Sequence, residues 1–87
     1  MKQFVYETGQ VFRLFRKYTL KKTLVELGGS QASSLSNFEN GKLRKLDYIP
    51  VYINECKDER QLYELYKLVN QVIFNEWKRG QLNGKTY

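Results

Sequence analysis

Asn37 is the side chain in this 87-residue sequence best suited to reading another molecule's hydrogen-bond pattern, and its neighbours are of matching kind. The stretch from Gly28 to Lys42 reads GGSQASSLSNFENGK. If Leu35 and Phe38, at i and i+3, form the buried side of a helix, then Ala32, Ser33, Ser36 and Asn37 lie on or near its opposite face. Solvated helix faces usually carry Glu and Lys. Small uncharged residues suit a helix that must fit inside a DNA groove. There an Asn amide donates and accepts at once to an adenine edge, a Ser hydroxyl does either, and an Ala methyl touches a thymine methyl. Serine is a mediocre helix former, so the serines at 30, 33, 34 and 36 do not serve helix stability. Lys21 and Lys22 before this stretch, and Lys42, Arg44 and Lys45 after it, supply cations for phosphates.

Side chains of this kind need rigid elements behind them. The spacing predicts a first helix over 8–17, with Thr8 as N-cap and Val11, Phe12 and Phe15 as its apolar stripe. Arg13, Arg16 and Lys17 fall outside that stripe. A break at Tyr18-Thr19 precedes a second helix over 20–27, capped by Thr19, with Leu20, Leu24 and Leu27 on one face. Gly28-Gly29 ends it, since glycine tolerates the left-handed backbone of a helix terminus. The third helix spans about 31–40 and stops at Gly41. A fourth is expected over 47–56, with Asp47 as N-cap, Pro50 in the first turn, and Ile49, Tyr52, Ile53 and Cys56 buried. A final helix over 58–79 ends at Gly80, and 81–87 read as a flexible polar tail.

Composition sets bounds. One domain with a modest core is the most this length allows. Apolar residues make up 41% and aromatic residues 15%, which argues for a folded chain. Of the net charge of +6, the whole surplus lies in residues 1–46, where nine Lys/Arg face three Glu. Residues 47–87 are neutral, with six of each sign. The first half therefore points to a polyanionic partner. One cysteine and no histidine argue against a disulfide and against a soft-ligand metal site. Cys56, in an apolar run, reads as a core residue. No apolar segment approaches the ~20 residues of a membrane span, and the N-terminus is too polar for a signal peptide. A cytoplasmic protein without cofactor or metal is expected. An enzyme is not, because no Ser or Cys has a base partner in sight and no glycine-rich phosphate loop follows a strand.

Residues 9–56 resemble the lambda repressor/Cro-type (XRE-like) helix-turn-helix family. Leu35, Ser36, Phe38, Glu39 and Gly41 match its pattern, as does the run from Lys42 to Pro50 after it. The run Gly9-x-x-Phe12-Arg13-x-Phe15-Arg16-Lys17 is also similar to the start of Rgg-like regulators. The resemblance implies an all-α, lambda-repressor-like domain of four to five helices with α-helix 31–40 as the recognition element. It implies base reading by Ala32, Ser33, Ser36 and Asn37, with Gln31 at a helix-start position that contacts phosphate or a base. It implies backbone contacts by Lys42, Arg44 and Lys45, and an ion pair between Arg16 and Glu39. Three departures stand out. Lys21 replaces a usual Gln, Val25 replaces a usual small Ala, and the connection from Arg16 to Leu24 is shorter than the common pattern.

The expected organisation is a helix-turn-helix domain over 1–57, a C-terminal helix over 58–80 and the tail. On the last helix, Leu62, Leu65, Tyr66, Val69, Val72, Ile73 and Trp77 form a stripe wider than a short core needs. One reading packs it partly on a second copy, because two recognition helices a helical turn apart read a palindrome. Another has it complete a monomeric core. In a third, Tyr63, Tyr66, Phe74 and Trp77 bind a different protein. The function expected is a small transcriptional regulator or repressor that binds double-stranded DNA as a homodimer, of a size that fits a phage, plasmid or other mobile element. The alternative is a helix-turn-helix module for protein interaction that does not read DNA sequence.

Overall fold

Five α-helices, joined by two 3-10 turns and one wider π-helical turn, build the chain in the computed structural model, which describes residues 2–43 and 46–82. No strand occurs among the described residues, so the architecture is all-α as expected. Helix α1 runs Lys2–Leu14, starting well before Thr8. The Thr8 hydroxyl donates to the Phe4 carbonyl at 2.7 Å. It is satisfied inside the helix and caps nothing.

The corner after α1 also differs from expectation. The chain does not break at Tyr18-Thr19 but continues into a π-helical turn, Phe15–Leu20. That turn closes at Lys21, whose φ of 56° is left-handed and whose N–H donates to the Arg16 carbonyl. A wider turn reverses the chain in few residues, which suits the short connection to Leu24. Thr19 is consequently not a cap. Thr23 takes that role for α2, Leu24–Gly28. Its hydroxyl accepts from the Glu26 N–H at 3.1 Å, and the Glu26 carboxylate accepts from the Thr23 N–H at 2.8 Å, a reciprocal capping box.

Gly29, with φ 57° and ψ −123°, occupies a region essentially closed to other residues. It leads through a 3-10 turn, Gly29–Gln31, into α3, Ala32–Glu39. Gly41 (φ 76°) follows the Asn40 cap of α3. Pro50 sits in the first turn of α4, Ile49–Ile53, where its missing N–H costs nothing. Asp47 lies in the 3-10 turn Leu46–Tyr48, and Tyr48 holds the cap position instead. This helix is shorter than expected because the chain turns at Asn54-Glu55, which leaves Ile53 exposed. Helix α5, Glu59–Leu82, starts where Asp58 accepts from the Gln61 N–H at 3.1 Å. Gly80 does not end it but lies buried within it, and Gln81 and Leu82 are helical. The rest of the expected tail, 83–87, lies outside the described residues.

Helix α1 is the centre of the molecule, with α3 on one side and α5 on another. The core comprises Val11, Phe12, Phe15, Leu20, Leu35, Phe38, Tyr52, Leu65 and Val72. At about 36 Å for its 24 residues, α5 accounts for most of the 43 Å long axis.

Candidate nucleic-acid interface

The two faces of α3 separate cleanly. Leu35 and Phe38 are buried, while Gln31, Ser33 and Asn37 are exposed and Ala32 and Ser36 half-exposed. Ala32, Ser33, Ser36 and Asn37 thus share one accessible side of α3, and Gln31 is exposed in the 3-10 turn before it. Lys21 and Lys42 are exposed near either end of the α2–α3 unit. Lys22 is partly covered and paired with Glu55 at 3.3 Å, so a phosphate would compete with that carboxylate. Arg44 and Lys45 lie outside the described residues. Lys17, which sequence reading left merely facing outward, lines one shallow concavity with Arg16, Lys21, Lys22 and Thr23. The π-helical turn and its left-handed closure at Lys21 bring Lys17, Lys21 and Lys22 together, while Arg16 is buried beneath them.

A buried polar junction holds α3 in place. Arg16 grips Glu39 with both arms of its guanidinium, Nε to Oε2 at 2.8 Å and Nη2 to Oε1 at 3.0 Å. Its third nitrogen, Nη1, donates to the Lys22 carbonyl at 2.9 Å, which ties the α1–α2 corner to the same cation. Sequence reading missed a third partner. The Tyr52 hydroxyl donates to Glu39 Oε2 at 2.9 Å from α4. A tyrosine in the middle of an apolar helix stripe was the available signal, because a buried phenol needs an acceptor. Hydrogen bonding to Glu39 raises the Arg16 pKa above its usual value. Burial, then the adjacent Glu39 charge, pushes the Tyr52 phenol far above its ordinary 10, so it remains a donor. Among the described residues, no buried side-chain nitrogen or oxygen lacks a partner.

Backbone contact tightens the junction. A Cβ placed on Gly9 would stand 2.5 Å from the Glu39 carbonyl oxygen and 2.6 Å from that of Phe38. Gly9 thus lets α1 and the end of α3 touch, and Gln10 Nε2 donates to the same Glu39 carbonyl at 3.0 Å.

The stripe expected on α5 divides in two. Leu65 and Val72 are buried in the chain's own core, and Leu62 and Val69 are half-buried, with Val69 packed on that core. The 62/65/69/72 series faces inward because α1 and the π-helical turn cover it. Tyr66, Ile73 and Trp77 lie instead on a second, exposed stripe, together with Tyr63 and Phe74.

Among the described residues, no cluster of His, Cys, Asp or Glu could hold a metal ion, and no helix is long and apolar enough to cross a membrane. Comparison of the chain with models of protein families, with curated proteins and with solved structures gave no match.

Proposed function

We propose that this chain is a small sequence-specific DNA-binding transcriptional regulator, with α2 and α3 as a helix-turn-helix and α3 in the major groove. The observation that carries this reading is the accessible face of α3. Ser33 and Asn37 are exposed there, with Gln31 exposed in the turn before the helix and no carboxylate among them, while the opposite side is locked by Leu35, Phe38 and the Arg16–Glu39–Tyr52 junction. Base readout demands such a combination, because edge contacts must be presented without rotational slack. Lys21 and Lys42 would hold phosphates on either side, and Lys22 would do so after releasing Glu55. The regulator would bind a palindromic operator as a homodimer.

The test is selection of random duplex DNA on the purified protein at near-physiological salt. An enriched palindrome is expected, with half-sites about 10–10.5 base pairs apart or a multiple of that. Weak, salt-sensitive binding without enrichment would overturn the proposal. The exposed aromatic residues of α5 favour a second reading, a protein-interaction module of the same fold acting as an inhibitor or adaptor. Equal binding of random duplex and any selected site would favour it.

A further inference from the structure

Tyr63, Tyr66, Ile73, Phe74 and Trp77 are each 50–57% exposed on one side of α5. Positions 63, 66, 70, 73 and 77 alternate steps of three and four, the spacing of a helix seam that packs against another helix. The side toward α1 is a different stripe, through Leu65 and Val72. At 100° per residue the two stripes cannot be covered by the same neighbour. Along the outer stripe the aromatic residues form two clusters. The rings of Tyr63 and Tyr66 meet edge-on at 5.6 Å, and those of Phe74 and Trp77 lie 5.9 Å apart. Asn70 is exposed midway between them.

We infer that this stripe docks a second copy of the same chain, with the two α5 helices antiparallel and Asn70 near the two-fold axis. The inference rests on the homodimer part of the function proposed above and specifies its geometry. Positions 63 and 77, and 66 and 74, are equidistant from 70. An antiparallel pair therefore lays the Tyr63–Tyr66 cluster of one copy on the Phe74–Trp77 cluster of the other, and both clusters are covered by one symmetric contact. Asn70 meets its own counterpart. A carboxamide both donates and accepts, so the pair is self-complementary, and a single polar residue in such a seam fixes register.

Charge at the helix ends agrees with that direction. Before Lys67, α5 carries Glu59 and Glu64 against Arg60, and its last turns carry Lys78 and Arg79 against Glu76. Antiparallel pairing sets these unlike ends together, whereas parallel pairing sets like ends together. The neutral second half of the chain also keeps the positive surplus away from the seam.

Area sets the strength. Four half-exposed aromatic residues and an isoleucine offer on the order of 500 Å² per copy. That makes about 1,000 Å² in total, below the standard interface size. An interface of that size fits a reversible dimer, one that a palindromic site would reinforce by holding both copies.

Sedimentation velocity on the full chain from roughly 1 to 300 µM tests the partner. A concentration-dependent shift to twice the mass is expected. Tyr66→Glu with Phe74→Glu should weaken association by about tenfold or more while leaving the thermal midpoint of the monomer unchanged, since both side chains are exposed. A chain that stays monomeric throughout overturns the inference and leaves the stripe to a different protein. Direction is read by oxidative cross-linking in a Cys56→Ala background. Tyr63→Cys mixed with Trp77→Cys should give the hetero-cross-link, and self-cross-linking of Tyr63→Cys overturns the antiparallel arrangement. Duplex selection with the Tyr66→Glu, Phe74→Glu chain separates this inference from the functional proposal. A single enriched half-site keeps DNA reading and supports α5 as the pairing element. An enriched palindrome would overturn the α5 seam. An intact wild-type dimer that enriches nothing would overturn DNA reading alone.

Discussion

Two groups of aromatic side chains meet opposite fates in this molecule. Phe12, Phe38, Tyr48 and Tyr52 converge where α1, α3 and α4 meet, with ring centroids 5.0–6.0 Å apart and the Tyr52 hydroxyl satisfied by Glu39. Tyr63, Tyr66, Phe74 and Trp77 pair among themselves along α5 but stay half-exposed. Both groups follow helical spacing, and both look like core in a linear sequence. The first is covered because three helices converge on it from positions distant in sequence. The second lies on the flank of a helix that needs only one stripe to pack on α1. Aromatic periodicity thus marks a face that something will cover, and the rest of the fold decides whether the cover is internal.

The largest effect should come from breaking the inner group at its charged centre. Glu39→Gln would leave Arg16 buried without its counter-charge and should cost about 3–5 kcal/mol in urea unfolding. A loss under about 1 kcal/mol would mean that the junction is far better hydrated than its burial implies. Next comes the backbone contact. Gly9→Ala forces a methyl group against the Glu39 and Phe38 carbonyls and should cost about 1–3 kcal/mol, read as a lower thermal midpoint. A fully stable variant would show that α1 and α3 can separate freely.

Asn37→Ala sharpens the comparison from the other side of α3. It should leave folding intact but relax preference at one base position by about 1–3 kcal/mol in competition binding. Unchanged site preference would remove Asn37 from the readout.

The pair that joins the two ends of the chain is weaker. Glu7 accepts from Arg79 at 3.1 and 3.2 Å, and that hydrogen bonding holds its carboxyl below the usual carboxylate range. A lowered pKa contributes stability above the unfolded value and loses it as pH falls through the folded one. The advantage of the wild type over Glu7→Gln, under about 1 kcal/mol at pH 7, should therefore shrink as pH falls below about 4, the ordinary carboxylate range, and vanish once the folded carboxyl is protonated. An advantage that did not shrink as pH fell would require another cause.

Smallest of all, Tyr63→Ser or Phe74→Ser at low protein concentration should shift unfolding by no more than about 0.5 kcal/mol. A loss comparable to a core truncation would place the outer stripe inside the monomer's own core.

Several features were legible in the residues alone: an all-helical chain, the position of α3, Pro50 in a first turn, and Leu35 and Phe38 inward with Asn37 outward. Each follows from local rules, because side-chain periodicity, glycine freedom and proline geometry act within a few residues. The candidate surface on α3 was legible for the same reason. The tertiary structure alone decided the rest. The π-helical turn replaced the expected break because a short connection had to deliver α2 onto α3. Thr23 displaced Thr19 as the cap once the turn moved the helix start. Tyr52 joined the Arg16–Glu39 pair, which the resemblance had implied, through a hydrogen bond that spans 13 positions of the chain and that no local pattern encodes. Leu65 and Val72 turned inward and Tyr63, Tyr66 and Trp77 outward because periodicity defines the faces of a helix. Which face is buried depends on where its neighbour lies, and for α5 that neighbour is α1.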